Sequence, residues 1–251
     1  MDNELVSIIT PTYNSKEFIR EAIQSVQSQT YEYWEMLIVD DASSDDTCKI
    51  VSNFVENDER ITLIKQSQNG GAAVARNVAI NKAKGRYIAF LDSDDIWMEE
   101  KLERQLALFK KTNSPLIYSM YEKIDQFGCK TGRIVTVPAR IDYAGLLNAT
   151  VIATVTAIYD TDRVGRVLMP DIRRRQDYAL WLRILRKGGE AHAVMEPLAY
   201  LRKRPRSISS NKISGIKSIW AVYREIEKLS VSESLFHFCN YAFRAFLKSR
   251  I

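Results

Sequence analysis

The sequence has 251 residues, 46% apolar and 27% charged, with a net charge of +5. That is enough apolar material for one large α/β domain, with or without an appendage, and too much for a disordered chain. No run approaches the roughly 20 apolar residues of a membrane-spanning helix, because the longest stretch, residues 151–159, is interrupted by Thr154 and Thr156. Cys48, Cys129 and Cys239 are far apart and lack the paired spacing of zinc or redox sites, so they read as ordinary thiols. The opening residues 1–4 are acidic, with no charged-then-apolar leader pattern, and the expected location is the cytoplasm.

In chain order, β-branched apolar runs alternate with amphipathic stretches. Residues 5–9 predict a strand, 18–26 a helix, 34–39 a strand, 48–55 a helix and 61–64 a strand. Helix 72–83, strand 87–91, helix 98–110 and strand 116–121 continue the series, which is that of an open, mostly parallel sheet. After about residue 119 the pattern loosens: a turn at Gln126-Phe127-Gly128, a strand over 133–137, a helix over 178–185 stopped by Gly188-Gly189, then strand-like 191–195 and 198–201. Two terminal helices follow, from Ile213, Ile216, Ile219, Trp220, Tyr223 and Ile226, and from Leu235, Phe238, Cys239, Ala242 and Phe246. From Tyr200 onward 11 Lys and Arg face 3 acids, so the basicity belongs to the C-terminus, and such a segment suits phosphate-bearing substrates or an anionic surface unless it is simply solvated.

Ligands of parallel sheets sit beyond the carboxyl ends of the strands. Three such edges carry polar clusters: Pro11-Thr12-Tyr13-Asn14, Asp40-Asp41-Ala42-Ser43 and Asp92-Ser93-Asp94-Asp95. Three carboxylates in four positions repel one another unless a cation or polar ligand holds them, and hard oxygens suit Mg²⁺ or Mn²⁺. The competing reading is helix capping by Ser93, Asp94 or Asp95. Asp40-Asp41 reads as a nucleotide-positioning pair or as a cap. Arg76, on the helix after Gly70-Gly71, offers a planar fork to a diphosphate or is merely solvated.

These segments together resemble glycosyltransferase family 2, the inverting enzymes of the GT-A fold. The residues that carry the resemblance are Val6-Ser7-Ile8-Ile9-Thr10-Pro11-Thr12-Tyr13-Asn14, Ile38-Val39-Asp40-Asp41-Ala42-Ser43-Ser44-Asp45, Asn69-Gly70-Gly71 with Ala75-Arg76-Asn77, and Phe90-Leu91-Asp92-Ser93-Asp94-Asp95. It implies a Rossmann-like α/β fold with a mostly parallel central sheet, flanking helices and a C-terminal helical extension. Residues 1–209 would form the transferase domain, with a nucleotide-sugar half over 1–118 and an acceptor half over 119–209, and residues 210–251 the extension. By the same resemblance Pro11, Tyr13 and Asp41 line the nucleoside pocket, Arg76 lies near the nucleotide phosphates, and Asp92, Asp94 and Asp95 handle ribose, metal and diphosphate, with Asp94 as the ligand of Mn²⁺ or Mg²⁺. The catalytic base would be Asp177, in Gln176-Asp177-Tyr178-Ala179-Leu180-Trp181-Leu182-Arg183, where Gln replaces the family's Glu.

The resemblance implies transfer of one sugar, with inversion, from a nucleotide-diphosphate donor (UDP by family weight) to a glycan or lipid-linked acceptor in bacterial surface polysaccharide synthesis, without a nucleic-acid partner. Two departures stand out. The run from Tyr200 to Ser209 has Arg204 where relatives carry a metal-binding His, so the metal has one ligand fewer or Arg204 meets the diphosphate. The Gln-x-x-Arg-Trp signature of processive relatives is absent. A sugar-phosphate nucleotidyltransferase and a silent nucleotide-sugar-binding protein are the alternatives. In the last helix Phe236, Phe238, Tyr241, Phe243 and Phe246 are interleaved with Arg244, Lys248 and Arg250, which suits either peripheral membrane contact or a docked helix with surface charges.

Overall fold

The computed structural model describes residues 4–204 and 212–248, the side chains of residues 212–216 and 245–248 apart. Strands and helices alternate as the apolar pattern requires: β1 (Val6–Thr12), α1 (Ile19–Gln27), β2 (Trp34–Asp40), α2 (Thr47–Val55), β3 (Ile61–Lys65), α3 (Ala72–Lys82) and β4 (Tyr87–Phe90). A two-residue strand, β5 (Ile96–Trp97), precedes α4 (Lys101–Lys111), and β6 (Leu116–Ile124) pairs with β7 (Lys130–Val135) around the turn at Gly128. Short pieces follow: β8 (Arg140–Ile141), α5 (Tyr143–Leu147), a 3-10 turn at Thr154–Thr156, β9 (Ile158–Asp160) and α6 (Thr161–Val164). Then come α7 (Gln176–Leu185), the long β10 (Ala191–Arg202), α8 (Lys212–Ala221) with a π-helical turn at Val222–Ile226, and α9 (Val231–Lys248).

The strands form one sheet in the order β3-β2-β1-β4-β9-β6-β10-β5, with β7 beside β6 and β8 beside β10. Parallel pairing joins β1 to β2 and β4, β2 to β3, and β6 to β10. The inserted β9 runs antiparallel to both β4 and β6, so β1, β2, β3, β4, β6 and β10 all point the same way, and β7 runs against β6. One sheet therefore serves both halves, since β6 runs across residue 118. Alternate residues supply opposite faces. Ile8, Met36, Ile38 and Ala89 pack with α1, α2 and α4, whereas Ile9, Leu37, Val39 and Phe90 pack with α3 and α7. Gly85 stands where the chain enters β4, and a Cβ there would lie 2.6 Å from the Leu5 carbonyl oxygen.

Two expectations are corrected. The helix expected from residue 98 starts at Lys101, because Ile96 and Trp97 are drawn into the sheet beside β10; its N-cap is Glu100, without a side-chain cap bond. Ser93, Asp94 and Asp95 thus cap nothing, and the capping reading of the acidic cluster falls away. The two strand-like segments after residue 190 are one strand, with register shifts on either side of Pro197, which has no N–H to give a ladder.

The terminal helices form where expected. In α9, Ser234, Phe238 and Tyr241 turn inward, and Phe238 meets Trp220 edge-on at 5.9 Å between centroids. Ser207, Ile208, Ser209 and Arg250 lie outside the described residues, as do the side chains of Ile213, Ile216, Phe246 and Lys248.

Candidate active site

The carboxyl ends of β1, β2 and β4 lie side by side. Thr12 is in register with Asp40, and Leu91 donates its N–H to the Ile9 carbonyl, so the acidic segment continues along the same edge. The loops after β1 and β2 hold each other: Ser43 Oγ accepts the Asn14 N–H at 2.9 Å, and Asn14 Oδ1 accepts the Ser44 N–H at 2.9 Å. Asp41 performs a mainly organising task. Its Oδ1 and Oδ2 accept the N–H groups of Gly70 and Gly71, each at 2.7 Å, and Oδ1 also accepts Gln66 Nε2 at 3.0 Å. Gly71 has φ +87, where a side chain would be strained. The pinned glycines open α3, from which Arg76 projects.

Arg76 is almost fully buried, its guanidinium bonds Asp92, and its Nε has no hydrogen-bond acceptor. A buried guanidinium with an unused donor retains capacity for an anion. Asp94 bonds Arg204 Nε at 2.7 Å, and that guanidinium also lies 5.4 Å from the centroid of the Phe18 ring. Burial, then the Asp92 charge, raises the Asp94 carboxyl above its ordinary value, while Arg204 pulls it back. Asp95 has a different place. It is buried, its Oδ1 accepts the Arg202 N–H at 2.8 Å, and burial first, then Asp94, pushes its carboxyl well up. It ties the acidic segment to β10.

Asp177 stands in the first turn of α7, which is entered through Arg175 in a left-handed conformation (φ 63). Its Oδ2 accepts the hydroxyl of Thr154 at 2.9 Å. The turn carrying Thr154 is itself held: Trp97 Nε1 donates to the Val155 carbonyl at 2.9 Å and Gln105 Nε2 to the Thr156 carbonyl at 2.7 Å.

Eight of the nine residues singled out from the sequence line one cleft of about 640 Å³, and Asp95 alone stands behind it. Tyr13, at its wall, is 52% exposed. Thr154 and residues 173–175, which sequence reasoning missed, also line it. Among the described residues no three His, Cys, Asp or Glu converge as a closed metal cage. Asp92 and Asp94 nevertheless present hard oxygens to an open cleft, and Mg²⁺-type sites take one or two carboxylates and complete their shell with substrate phosphates and water. The donor set fits such an ion.

Residues 7–137 match the family model described as glycosyl transferase family 2. The chain is 42% identical to TuaG of Bacillus subtilis, a glycosyltransferase provisionally assigned to teichuronic acid biosynthesis, over 97% of both chains. It is 39% identical to WfgD of Escherichia coli, a UDP-Glc:alpha-D-GlcNAc-diphosphoundecaprenol beta-1,3-glucosyltransferase, over 96% of this chain and 93% of that one. Residues 1–349 of S. aureus TarS, crystallised with UDP-GlcNAc, share the fold at a TM-score of 0.74 and 21% identity, over 97% of this chain and 72% of that one. With the central sheet, the flanking helices and the acidic strand-edge motif in place, the chain belongs to glycosyl transferase family 2.

Proposed function

We propose that the cleft transfers one sugar from a nucleotide-diphosphate donor, UDP-linked, to a hydroxyl of a glycan or lipid-linked acceptor, with inversion, in surface polysaccharide synthesis. The observation that carries this reading is one cleft that holds both an arginine-flanked acidic motif and, opposite in role, a carboxylate fixed by a hydroxyl. Pro11, Tyr13 and Asp41 serve the nucleoside side, and Arg76 and Arg204 take the phosphates. Asp94, with Asp92 beside it, would hold Mn²⁺ or Mg²⁺, which would supply Lewis-acid stabilisation of the charge on the departing diphosphate. Thr154 occupies Asp177 Oδ2 and so leaves Oδ1 for the acceptor. Asp177 takes the proton of the acceptor hydroxyl as that oxygen bonds to the anomeric carbon and the bond to the diphosphate oxygen breaks. A single displacement inverts the centre and needs no second carboxylate nucleophile. The names of TuaG and WfgD support an acceptor in a surface-polymer pathway, and the TarS complex supports a UDP donor.

A calorimetric donor screen, with and without Mn²⁺, tests the reading. Metal-enhanced binding of a UDP-sugar is expected, followed by nucleoside diphosphate release when acceptor is added. Release of pyrophosphate would instead mark a nucleotidyltransferase, and binding without turnover a silent module.

Among the described residues no helix is long and apolar enough to cross a membrane. Peripheral contact is proposed from α9, where Val231, Leu235, Phe236 and Phe243 are all more than half exposed. At 3.6 residues per turn they fall within an arc of about 140°, away from the inward Ser234, Phe238 and Tyr241. A helix with one apolar stripe docked and a second facing out suits a lipid interface.

A further inference from the structure

Residues 173–175 are three consecutive arginines, all lining the cleft, immediately before the helix that carries Asp177. The other two arginines of the cleft each pair with a carboxylate of the acidic segment, Arg76 with Asp92 and Arg204 with Asp94. Among the described residues neither Arg173 nor Arg175 pairs with a carboxylate; Arg175 has only a long 3.4 Å bond to the Tyr241 hydroxyl, and Arg173 is exposed. The cleft thus holds two guanidiniums, those of Arg173 and Arg175, that no carboxylate of the described residues pairs with, close in sequence to Asp177 and far in sequence from the acidic segment 92–95. Chain geometry keeps it close: the Cα atoms of Arg175 and Asp177 are at most about 7 Å apart, and those of Arg173 and Asp177 at most about 14 Å.

We infer that Arg173 and Arg175 bind a diphosphate belonging to the acceptor, which is therefore a sugar 1-diphosphate attacked at a ring hydroxyl of that same sugar. This rests on the reading of the cleft as a transferase site. In such an acceptor the attacking oxygen and the first phosphate sit on opposite sides of a single sugar ring. The base and the anion-binding groups must then be separated by one ring's width, which is what two to four residues of intervening chain supply. A glycan acceptor whose nearest phosphate lay several sugars away would place no anion beside Asp177, and the arginines would face water. Arginine suits the task because its fork donates two parallel bonds to phosphate oxygens, where lysine offers a single point charge.

The test uses the full chain saturated with the nucleoside diphosphate found in the donor screen together with Mn²⁺, so that the donor site is filled. Binding of a short-chain alkyl diphosphate is then measured by calorimetry against the corresponding alkyl alcohol. Arg173→Gln is conservative at an exposed position, and Arg175→Asn keeps a residue that tolerates the left-handed backbone. Each substitution is expected to weaken alkyl diphosphate binding on the order of tenfold while leaving nucleoside diphosphate affinity unchanged; Arg173→Lys is expected to restore part of the loss. Equal binding of alkyl diphosphate and alcohol by the wild-type protein would overturn the assignment. So would a matching loss of nucleoside diphosphate affinity in the variants, which would hand the arginines to the donor. A chain that binds no nucleoside diphosphate in the first place overturns the transferase reading, and this assignment with it.

Discussion

A carboxylate placed beside both a like charge and a guanidinium is held in balance, and Asp94 is in that position: burial and Asp92 raise its proton affinity and Arg204 lowers it. A divalent cation held at Asp94, as proposed, would enter the same field and compete with the Arg204 guanidinium for Oδ2. Asp94→Ala is therefore expected to weaken donor binding by about tenfold or more in Mn²⁺. In chelator the variant should bind donor no worse, because it has lost a negative charge facing a diphosphate; an equal loss under both conditions, seen by calorimetry, would point to misfolding or direct contact. Arg204→His should raise Mn²⁺ affinity, since the substitution removes the competing cation and adds an imidazole ligand. Unchanged affinity in a metal titration would place residue 204 away from the ion. The residues missed from sequence differ in kind. Thr154 is a lone hydroxyl in an apolar stretch, with no local signal that it faces Asp177, whereas the arginine run at 173–175 is visible as charge but its sequence does not say what it faces. Spacing alone also could not separate Asp95 from Asp92 and Asp94. The tight turn in which the Asp95 N–H donates to the Asp92 carbonyl at 3.1 Å decides which of them turn inward.

At the scale of elements, α9 and α4 each make a claim that can be measured. Full-length protein is expected to sediment with anionic vesicles, less so at high salt, and a 1–230 truncation much less; equal, negligible binding by both would leave α9 as packing alone. In α4, Lys101 is fully buried, donates to Gln105 Oε1 at 2.7 Å and lies 4.1 Å from the Trp97 ring centroid. Burial lowers its pKa from 10.5 to about 7. Between those values the unfolded chain binds more protons than the folded one, so this group makes stability rise with pH from about 7 towards 10. Lys101→Met should lose that rise, read as the change in Tm between pH 7 and pH 9 relative to wild type; an unchanged difference would show that the ammonium is not desolvated. The elements legible in the sequence were those with several turns or several alternations. Strands β5, β8 and β9, with two or three residues each, are too short to carry a period and exist because neighbouring strands present a free ladder.

Across the whole molecule, one sheet brings the two halves of the chemistry together. The edge of β1, β2 and β4 presents the acidic motif and α3 brings Arg76 to it, while β10 returns beside β6 to deliver Arg202 to Asp95 and Arg204 to Asp94 across more than a hundred residues of sequence. Trp97, only two residues beyond Asp95, holds the turn that gives Thr154 to Asp177, so the acidic segment and Asp177 share a support. If that support exists to pair a bound donor with a proton acceptor, removing the acceptor's charge alone should separate binding from chemistry. The measurement is donor affinity and single-turnover transfer in Asp177→Asn, with wild type alongside. The expected result is unchanged donor affinity with transfer lower by about 10²–10⁴-fold. Transfer at the wild-type rate would contradict the assignment of Asp177, and with it the mechanism proposed for the cleft.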